Sequence, residues 1–448
     1  MNIIIVGAGE IGRHMAQSLS HESHAICVIE SDESVGSELD QAVDARILVG
    51  DGASVNVLLD AGVSECDLFF ALTSENNINL VSCSMAKALG AKQTICRVHP
   101  DLQREEFLFD FRSHFGIDSL FSSERLAAVE LSKYVRNPDA PIVEEIAHGH
   151  IELQQIKVPE NSSLINKPIK DLGFPPRVRI GSIRRGEESI IPSANDELKA
   201  GDLVTLFGDP ARLHEVAVKL SKHGKETETN VVIFGGGEYG FSLAQNLESW
   251  KCRVRIFEKD PDRCAFLADS LVKATVLNAD ATSLAELKEE QIGNADFFIA
   301  TTSVDEDNVM TCLQAHSLGA KNCLTLIHRA DYAEAITGFS DQMGIRSAVS
   351  PRDATRRDLM RFVTSDRWHL LQKLDAGELI ESAVTEGSVI DGKRVSEVDW
   401  PVDCILVALL HGVRAMVPAA DDPIKAGDHL YAVVSPKAKK RFLKLVTG

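Results

Sequence analysis

The chain has 448 residues, more than one domain requires at roughly 100 to 200 residues each, and its composition, 44% hydrophobic and 25% charged, is that of a globular protein, not a fibrous or disordered one. A formal net charge of −19 argues against a general nucleic-acid binder, because phosphate contacts require concentrated Lys and Arg, and instead reads as an acidic soluble surface. No apolar run approaches the roughly 20 residues needed to cross a bilayer, and the N-terminal apolar segment carries no cleavable signal pattern, so the expectation is a protein neither integral to a membrane nor secreted by that route.

The first predicted element is a short strand, Asn2-Ile-Ile-Ile-Val, that stops at Gly7-Ala8-Gly9-Glu10-Ile11-Gly12 and continues into a helix starting near Arg13. Strand, glycine turn and helix start is the order a dinucleotide site needs, since the helix N-terminus offers unpaired N–H groups and a positive dipole end to a pyrophosphate. Gly7 permits the tight turn, Gly9 lets the backbone approach the phosphates, and Gly12 lets helix and strand pack closely. A second strand, Ala25 to Ile29, ends in Glu30, which is placed 18 positions beyond Gly12 to bond the adenosine ribose and to favour NAD over NADP, whose 2′-phosphate it repels.

A third strand, Ala45 to Val49, closes in Gly50-Asp51-Gly52. A short helix near Val55 to Ala61 follows, then a fourth strand from Asp67 to Leu72 ending in Thr73-Ser74, a helix from Asn76 to Leu89, and a fifth strand from Thr94 to Val98. This alternation implies right-handed crossovers and a parallel sheet, with Gly7, Glu30, Asp51 and Thr73 at the carboxyl ends of the strands, where such sheets bind ligands. The two prolines of segment 135–142 suggest a domain boundary. Beyond it, short alternating runs, Ile151 to Val158 and Val178 to Ile183, then Leu198 to Gly208 and an amphipathic helix over 210–222, predict a small α+β domain with no catalytic constellation.

The polar segment Lys222 to Thr229 reads as a linker, after which the order restarts. Gly7 is matched by Gly235 and Glu30 by Glu258, both 228 positions on, while Asp51 and Asp280, Thr73 and Thr302, and Leu89-Gly-Ala-Lys92 and Leu318-Gly-Ala-Lys321 are 229 apart. Ile191-Pro with Lys199-Ala-Gly-Asp202 is echoed by Val417-Pro with Lys425-Ala-Gly-Asp428. Repeats this long mean a duplicated two-domain unit, not a solenoid. The fold class is therefore α/β: two Rossmann-like, doubly wound parallel-sheet domains at 1–140 and 229–365, each followed by a small α+β domain, at 141–224 and 366–448. The nine scattered cysteines, at 27, 66, 83, 96, 252, 264, 312, 323 and 404, form no C-x-x-C pair and read as reduced core thiols.

Gly7 to Gly12, Gly50-Asp51-Gly52 and the duplication together resemble the TrkA family, cytosolic peripheral subunits of bacterial Trk potassium-uptake systems built as RCK_N, RCK_C, RCK_N, RCK_C. The resemblance spans essentially the whole chain. It implies that Gly7, Ala8, Gly9, Glu10, Ile11 and Gly12 hold a pyrophosphate, Glu30 the adenosine ribose, and that Asp51 lies beside the adenosine. Thr73 and Ser74 would contact the nucleotide, Arg97 would pair with phosphate, and Arg13 would add a cation or remain a solvated helix residue. The second copy keeps the turn Gly235-Gly236-Gly237-Glu238-Tyr239-Gly240 with Glu258, Asp280 and Thr302. It replaces Arg97 by Leu326, with Arg329 three residues later, and Arg13 by Phe241, so that site is expected to lack cations and hold a phosphate-rich ligand less well. Crossover helices are expected at Ser122 to Arg136 and Asp353 to Phe362. The second carries Arg352, Arg356, Arg357 and Arg361, either as a solvated face or in contact with acidic neighbours or phosphate.

The function implied is a non-enzymatic, nucleotide-sensing regulatory subunit that binds NAD(H) and ATP or ADP. It would form a homo-oligomer, dimer or tetramer, lie in the cytoplasm on the inner face of the membrane, and gate an integral-membrane potassium channel or transporter subunit of the Trk type. Two alternatives stay open. An NAD-dependent dehydrogenase would use the same fingerprint, but the small domains offer no evident His, Lys or Tyr proton-transfer pair, and His99 and His328, which recur 229 apart at strand ends, read as structural. A redox-sensing regulator of soluble partners is the third class.

Overall fold

The structure, a computed structural model, describes residues 1–448 except 21–23, 106–107, 138–141, 148–149, 187, 221–227, 330–331, 334–335, 337–342, 361, 364–367 and 412–413. The chain forms two compact units, one of Met1–Ser132 with Glu228–Val363 and one of Lys133–Thr227 with Thr364–Gly448. Corresponding repeats are thus brought together: both parallel sheets lie in the first unit and both small sheets in the second.

In the first repeat, β1 (Asn2–Val6), β2 (Ala25–Glu30), β3 (Arg46–Val49), β4 (Leu68–Ala71), β5 (Gln93–Arg97) and β6 (Ser119–Phe121) pair in parallel, in the order β3-β2-β1-β4-β5-β6. β1 and β4 are the central pair and are buried on both faces, which is why their sequences are continuous apolar runs. Ile3 and Ile5 point into one layer with Met15, Leu19 and Phe70, while Ile4 and Val6 point into the other with Phe69, Leu80 and Cys83. The sheet order reverses between β1 and β4, and that switch point opens a crevice at their carboxyl ends.

The first small domain consists of β7 (Ile142–Ile146), β8 (Ile151–Lys157), β9 (Val178–Arg185), β10 (Glu188–Ile190) and β11 (Leu203–Gly208), an antiparallel sheet ordered β10-β9-β11-β8-β7, with the helix Pro210–Leu220 behind it. The predicted boundary at 135–142 is narrower than expected: residues 135 and 136 finish the helix Ser123–Arg136, Ile142 already begins β7, and both prolines lie outside the described residues. Residues 222–227 of the predicted second linker also lie outside the described residues, and Thr229 starts the next sheet.

The second repeat restores the same plan. β12 (Thr229–Phe234), β13 (Cys252–Glu258), β14 (Thr275–Asn278), β15 (Phe297–Ala300), β16 (Asn322–Leu326) and β17 (Ile345–Val349) give the parallel order β14-β13-β12-β15-β16-β17. β18 (Trp368–Leu374), β19 (Gly377–Ala383), β20 (Cys404–His411), β21 (Arg414–Met416) and β22 (His429–Val434) give the antiparallel order β18-β19-β22-β20-β21, followed by the helix Pro436–Thr447. Within the second unit the two small sheets share a core in which Leu153 and Phe207 meet Val407, Tyr431 and Val433.

The repeated Lys-Ala-Gly-Asp is explained by this packing. Gly201 and Gly427 take φ of +81° and +85°, and the buried Asp202 and Asp428 accept bonds from the Lys199 and Lys425 amides at 2.8 Å, closing a turn. Asp202 is further held by two 2.8 Å bonds from Arg185, and Asp428 by His411 at 2.5 Å. No helix among the described residues is long and apolar enough to cross a membrane, and all nine cysteines are free, six of them buried.

Candidate functional site

A cavity of about 540 Å³ lies at the crevice between β1 and β4. Gly7, Gly9, Glu10 and Ile11 form its floor, Glu30 and Asp51 one end, and Thr73, Ser74 and Arg97 the other side. Gly7 has φ +96°, which an L side chain rarely adopts, and a Cβ there would lie 2.9 Å from Thr73 Cγ2. A Cβ on Gly12 would lie 1.8 Å from the carbonyl oxygen of Gly7, so that glycine serves helix–strand packing. Gly9 differs from both, since a Cβ there would meet no protein atom within 4 Å and would project into open space. That openness, beside the N-terminus of the helix Glu10–Ser20, suits a phosphate group and fits a dinucleotide.

The Glu30 carboxylate accepts from the Ala8 amide at 2.6 Å, from the Asp32 amide at 3.0 Å and from Ser31 Oγ at 3.2 Å. Burial raises its pKa, but these hydrogen bonds outweigh burial and hold it below the ordinary carboxylate value, so it is an anion able to accept hydrogen bonds from hydroxyl groups. Ala8 itself does not line the cavity; it is buried and contributes its N–H to Glu30. Asp51 is exposed and accepts from the Ala53 amide at 2.9 Å. Arg97 lines the cavity, with Glu124 of the crossover helix 3.8 Å away. Arg13 is directed elsewhere: it reaches Glu38 at 3.3 Å and does not line the cavity, which makes it a surface residue of its helix.

Thr73 is placed by Asn79, which sequence reasoning missed. Asn79 is 1% exposed, accepts from the Thr73 amide (3.0 Å) and hydroxyl (2.7 Å), and donates to the carbonyls of Thr73 and Arg97, both at 2.9 Å. One amide side chain therefore ties the end of β4 to the end of β5. Asn308 repeats all four bonds in the second copy, to Thr302 and to the Leu326 carbonyl. The signal was a helical asparagine recurring at the 229 offset of its neighbours.

The second copy supplies the other wall. Tyr239, His328, Pro351 and Arg352 all line the first cavity. Tyr239, expected at the second glycine turn's own site, faces the first one instead; burial, then the Glu124 and Glu10 carboxylates, raises its phenol pKa, with Arg97 opposing. His328 is more than a strand-end structural residue: it packs edge-on to Tyr239 at 5.6 Å and is fixed by the buried Asp305, at 3.0 Å from its Nδ1. The helix Pro351–Met360 packs on the helix Glu10–Ser20 and inserts Leu359 into the first copy's core. His14 meets Asp353 at 3.0 Å and Arg357 meets Glu130 at 3.1 Å. Of the four arginines expected there, Arg357 pairs with Glu130, Arg352 lines the cavity, Arg352 and Arg356 both help, behind His14, to hold the Asp353 carboxyl below its ordinary value, and Arg361 lies outside the described residues.

The second glycine turn has the same backbone and different occupancy. Gly235 has φ +99°, a Cβ on Gly240 would lie 1.9 Å from the Gly235 carbonyl oxygen, and one on Gly237 would meet nothing within 4 Å. Glu258 accepts from the Gly236 amide at 2.9 Å, and Asp280 from the Thr282 amide at 2.9 Å and hydroxyl at 2.8 Å, which lowers the Asp280 pKa. The expectation that this turn lacks cations is corrected. Arg263 donates to the Gly236 carbonyl at 2.6 Å and to Glu238 at 2.9 Å, and Arg104 of the first copy reaches Glu238 at 2.8 Å. Both guanidinium groups stack over Phe241 and Phe266. Burial raises the Glu238 pKa, but Arg104 and Arg263 outweigh it and keep the carboxyl ionised below its usual range. Arg263 stands 228 positions after Val35, which lines the first cavity, so a guanidinium bonded to the turn replaces an apolar wall.

The family model of the TrkA-N domain matches residues 3–121 and 231–351, and that of the TrkA-C domain residues 153–221 and 379–447. The Trk system potassium uptake protein TrkA of Haemophilus influenzae is 31% identical over 98% of this chain and 96% of its own length. A TrkA homolog of Archaeoglobus fulgidus is 30% identical over 96% of each. Among solved structures, the GsuK channel bound to NAD superposes with a TM-score of 0.60 at 16% identity, covering 99% of this chain and 78% of that one, and the GsuK RCK domain with 0.58 at 16% identity, covering 99% and 94%. At that identity the likeness concerns the fold.

Proposed function

We propose, on the premise that the chain belongs to the TrkA family of tandem TrkA-N and TrkA-C domains, that it is a cytoplasmic, nucleotide-sensing regulatory subunit of a potassium-uptake system. It binds NAD(H) and ATP or ADP in the first cleft and, as a homo-oligomer docked on an integral-membrane potassium channel or transporter subunit, adjusts that partner's opening. The observation that carries this reading is the first cavity itself. Its floor comes from one repeat and its opposite wall from Tyr239, His328, Pro351 and Arg352 of the other, so a ligand that fills it contacts both repeats. A ligand shifts a conformational equilibrium only by its differential affinity for two states, and a site shared between two bodies supplies such a difference.

Gly7 to Gly12, Glu30, Asp51, Thr73, Ser74 and Arg97 form the principal site. The second turn, with Gly235 to Gly240, Glu258, Asp280 and Thr302, is the weaker one, because a ligand there must displace Arg263 from the Gly236 carbonyl. The chain binds the nicotinamide without turning it over. The membrane partner is recognised by the relatives' role: those proteins are named for potassium uptake by a Trk system.

The test has two arms. Potassium flux through the partner reconstituted in liposomes is measured with NADH, ATP or ADP and with Gly9→Val or Gly237→Val protein; nucleotides are expected to alter flux, Gly9→Val to remove most of the response and Gly237→Val less. Flux indifferent to every nucleotide while the complex stays intact would refute the regulatory reading. Nicotinamide absorbance is followed in parallel over hydroxy acids, aldehydes and quinones, and steady oxidation would make the chain a dehydrogenase.

A further inference from the structure

The helix Pro436–Thr447 of the second small domain carries Lys437, Lys439, Lys440, Arg441 and Lys444 with no Asp or Glu, in a chain whose formal net charge is −19. Ala438, Phe442 and Val446 are buried and fix its apolar face to the domain. Two of the cations are taken up locally: Lys439 meets Glu378 at 2.7 Å and lies over the Trp368 ring, and Arg441 meets Asp399. Lys437, Lys440 and Lys444 are exposed and have no ion pair among the described residues. Spacings of three and four put them, with Arg441, on one face of the helix.

The first repeat shows that the fold does not call for this charge. Its helix Pro210–Leu220 starts 226 positions earlier and buries Val216 and Leu220 where the second buries Phe442 and Val446. At the positions matching Lys437, Lys440, Arg441 and Lys444 it has Ala211, His214, Glu215 and Val218. Packing therefore accounts for the shared apolar residues and leaves the cations without a role. Beside them runs the loop 399–403, tied to the helix by Asp399 and by the Ser435 amide, which donates to the Asp403 carbonyl at 3.0 Å. That loop presents Val402, 83% exposed, to solvent.

We infer that this helix face is a docking surface for an anionic bilayer, whose phosphate headgroups Lys437, Lys440 and Lys444 hold electrostatically. The inference rests on the reading that the chain works at a membrane, and it adds a lipid contact to the protein contact proposed there. Lysine chemistry favours lipid over an acidic protein surface. Lys is depleted in protein–protein interfaces whereas Arg is enriched, and a compact ammonium on a flexible stem suits laterally mobile headgroups better than a fixed array of carboxylates. An exposed valine beside the lysines suits the boundary between headgroups and acyl chains. The helix's own apolar face is committed to the domain core, so the contact is peripheral and salt-sensitive and involves no insertion of the helix. Each Lys at an anionic surface raises partitioning about fivefold. Three of them, offset in part by the exposed Asp403 and Glu386 of neighbouring loops, give roughly a ten- to hundredfold preference over a neutral bilayer. Acids farther away than about 8 Å add little repulsion, because salt screens them.

The experiment is co-sedimentation of the full chain with phosphatidylcholine vesicles made with and without phosphatidylglycerol. Native protein is compared with a variant combining Lys437→Gln, Lys440→Gln and Lys444→Gln, and with a control combining Lys157→Gln, Lys167→Gln and Lys199→Gln, which makes the same charge change on exposed lysines of the first small domain. Native protein and the control are expected to favour the anionic vesicles roughly ten- to a hundredfold and to be released as salt is raised. The helix variant is expected to lose that preference with an unchanged Tm, since none of its three lysines has an ion pair among the described residues to lose. Native protein that partitions equally onto both vesicles, a helix variant that keeps the preference, or an equal loss in helix variant and control would overturn the lipid contact. A helix variant whose molar mass by light scattering falls while its vesicle preference stays native would overturn it in favour of a second copy of the chain on this face. The vesicles hold no membrane protein, so their outcome leaves the proposed function to be decided by the potassium-flux measurement.

Discussion

Gly9→Val separates what the glycine turn does for the fold from what it does for a ligand. A Cβ at Gly9 meets no protein atom within 4 Å and its φ is outside the left-handed region, so the substitution costs only the helix-start preference, about 1 kcal/mol, or a fall in Tm of about 2 to 4 °C. The same branched side chain fills the space over the N-terminus of the helix Glu10–Ser20, where a pyrophosphate would take backbone N–H bonds. Losing two such charge-assisted bonds at about 1.5 kcal/mol each removes about 3 kcal/mol, roughly a hundredfold in Kd. Gly12→Ala is the control with the opposite signature: its Cβ would stand 1.8 Å from the Gly7 carbonyl oxygen, so helix and strand must part, at about 1 to 3 kcal/mol of stability, whatever the ligand. Differential scanning calorimetry and NADH titration of the two variants check both halves. A Gly9→Val protein that binds NADH within about threefold of native would refute the placement of the phosphates over this turn.

Asn79→Ala is expected to lower stability by about 2 to 4 kcal/mol, since it leaves the Thr73 amide and the carbonyls of Thr73 and Arg97 without their Asn79 partner, the Thr73 hydroxyl keeping its bonds to the Glu75 backbone; chemical denaturation that leaves the midpoint unchanged would show the four bonds to be dispensable. Glu30→Ala should narrow the preference for NADH over NADPH, measured by competition, because it removes both the ribose acceptor and the charge that repels a 2′-phosphate. His429 pairs with Glu381 at 2.8 Å; that hydrogen bond, opposed by burial and aided by the charges of Glu381 and Asp428, raises its pKa above 6.5. The stabilisation from this pair is therefore complete below the unfolded pKa of about 6.5 and is lost as pH rises through the folded value, so native protein should lose its stability advantage over His429→Gln on going from about pH 6 to alkaline pH, and a constant difference would discount the pair.

What the sequence determined by itself is what depends on neighbours along the chain. The apolar run before Gly7, the obligatory left-handed φ at Gly7 and Gly235, and the acid at the end of each second strand are local, and local chemistry was enough to specify strand, turn, helix and duplication. The helix Asn76–Leu89 follows for the same reason, its apolar periodicity ending at the left-handed Gly90. Tertiary structure decided everything that depends on which repeat faces which. Tyr239 belongs by sequence to the second turn and by position to the first cavity, because the unit is built from both repeats. Arg104, from 134 positions away, joins Arg263 in supplying the cations not expected at the second turn, and Arg13, adjacent to the first turn, points to Glu38 because a helix carries successive side chains to different faces. The recurrence of Asn79 as Asn308, 229 positions on, marked it as part of the repeat but did not say what it bonds. Its role required β4 and β5 to end side by side, so that one amide, too buried to reach water, had to satisfy two strand ends at once.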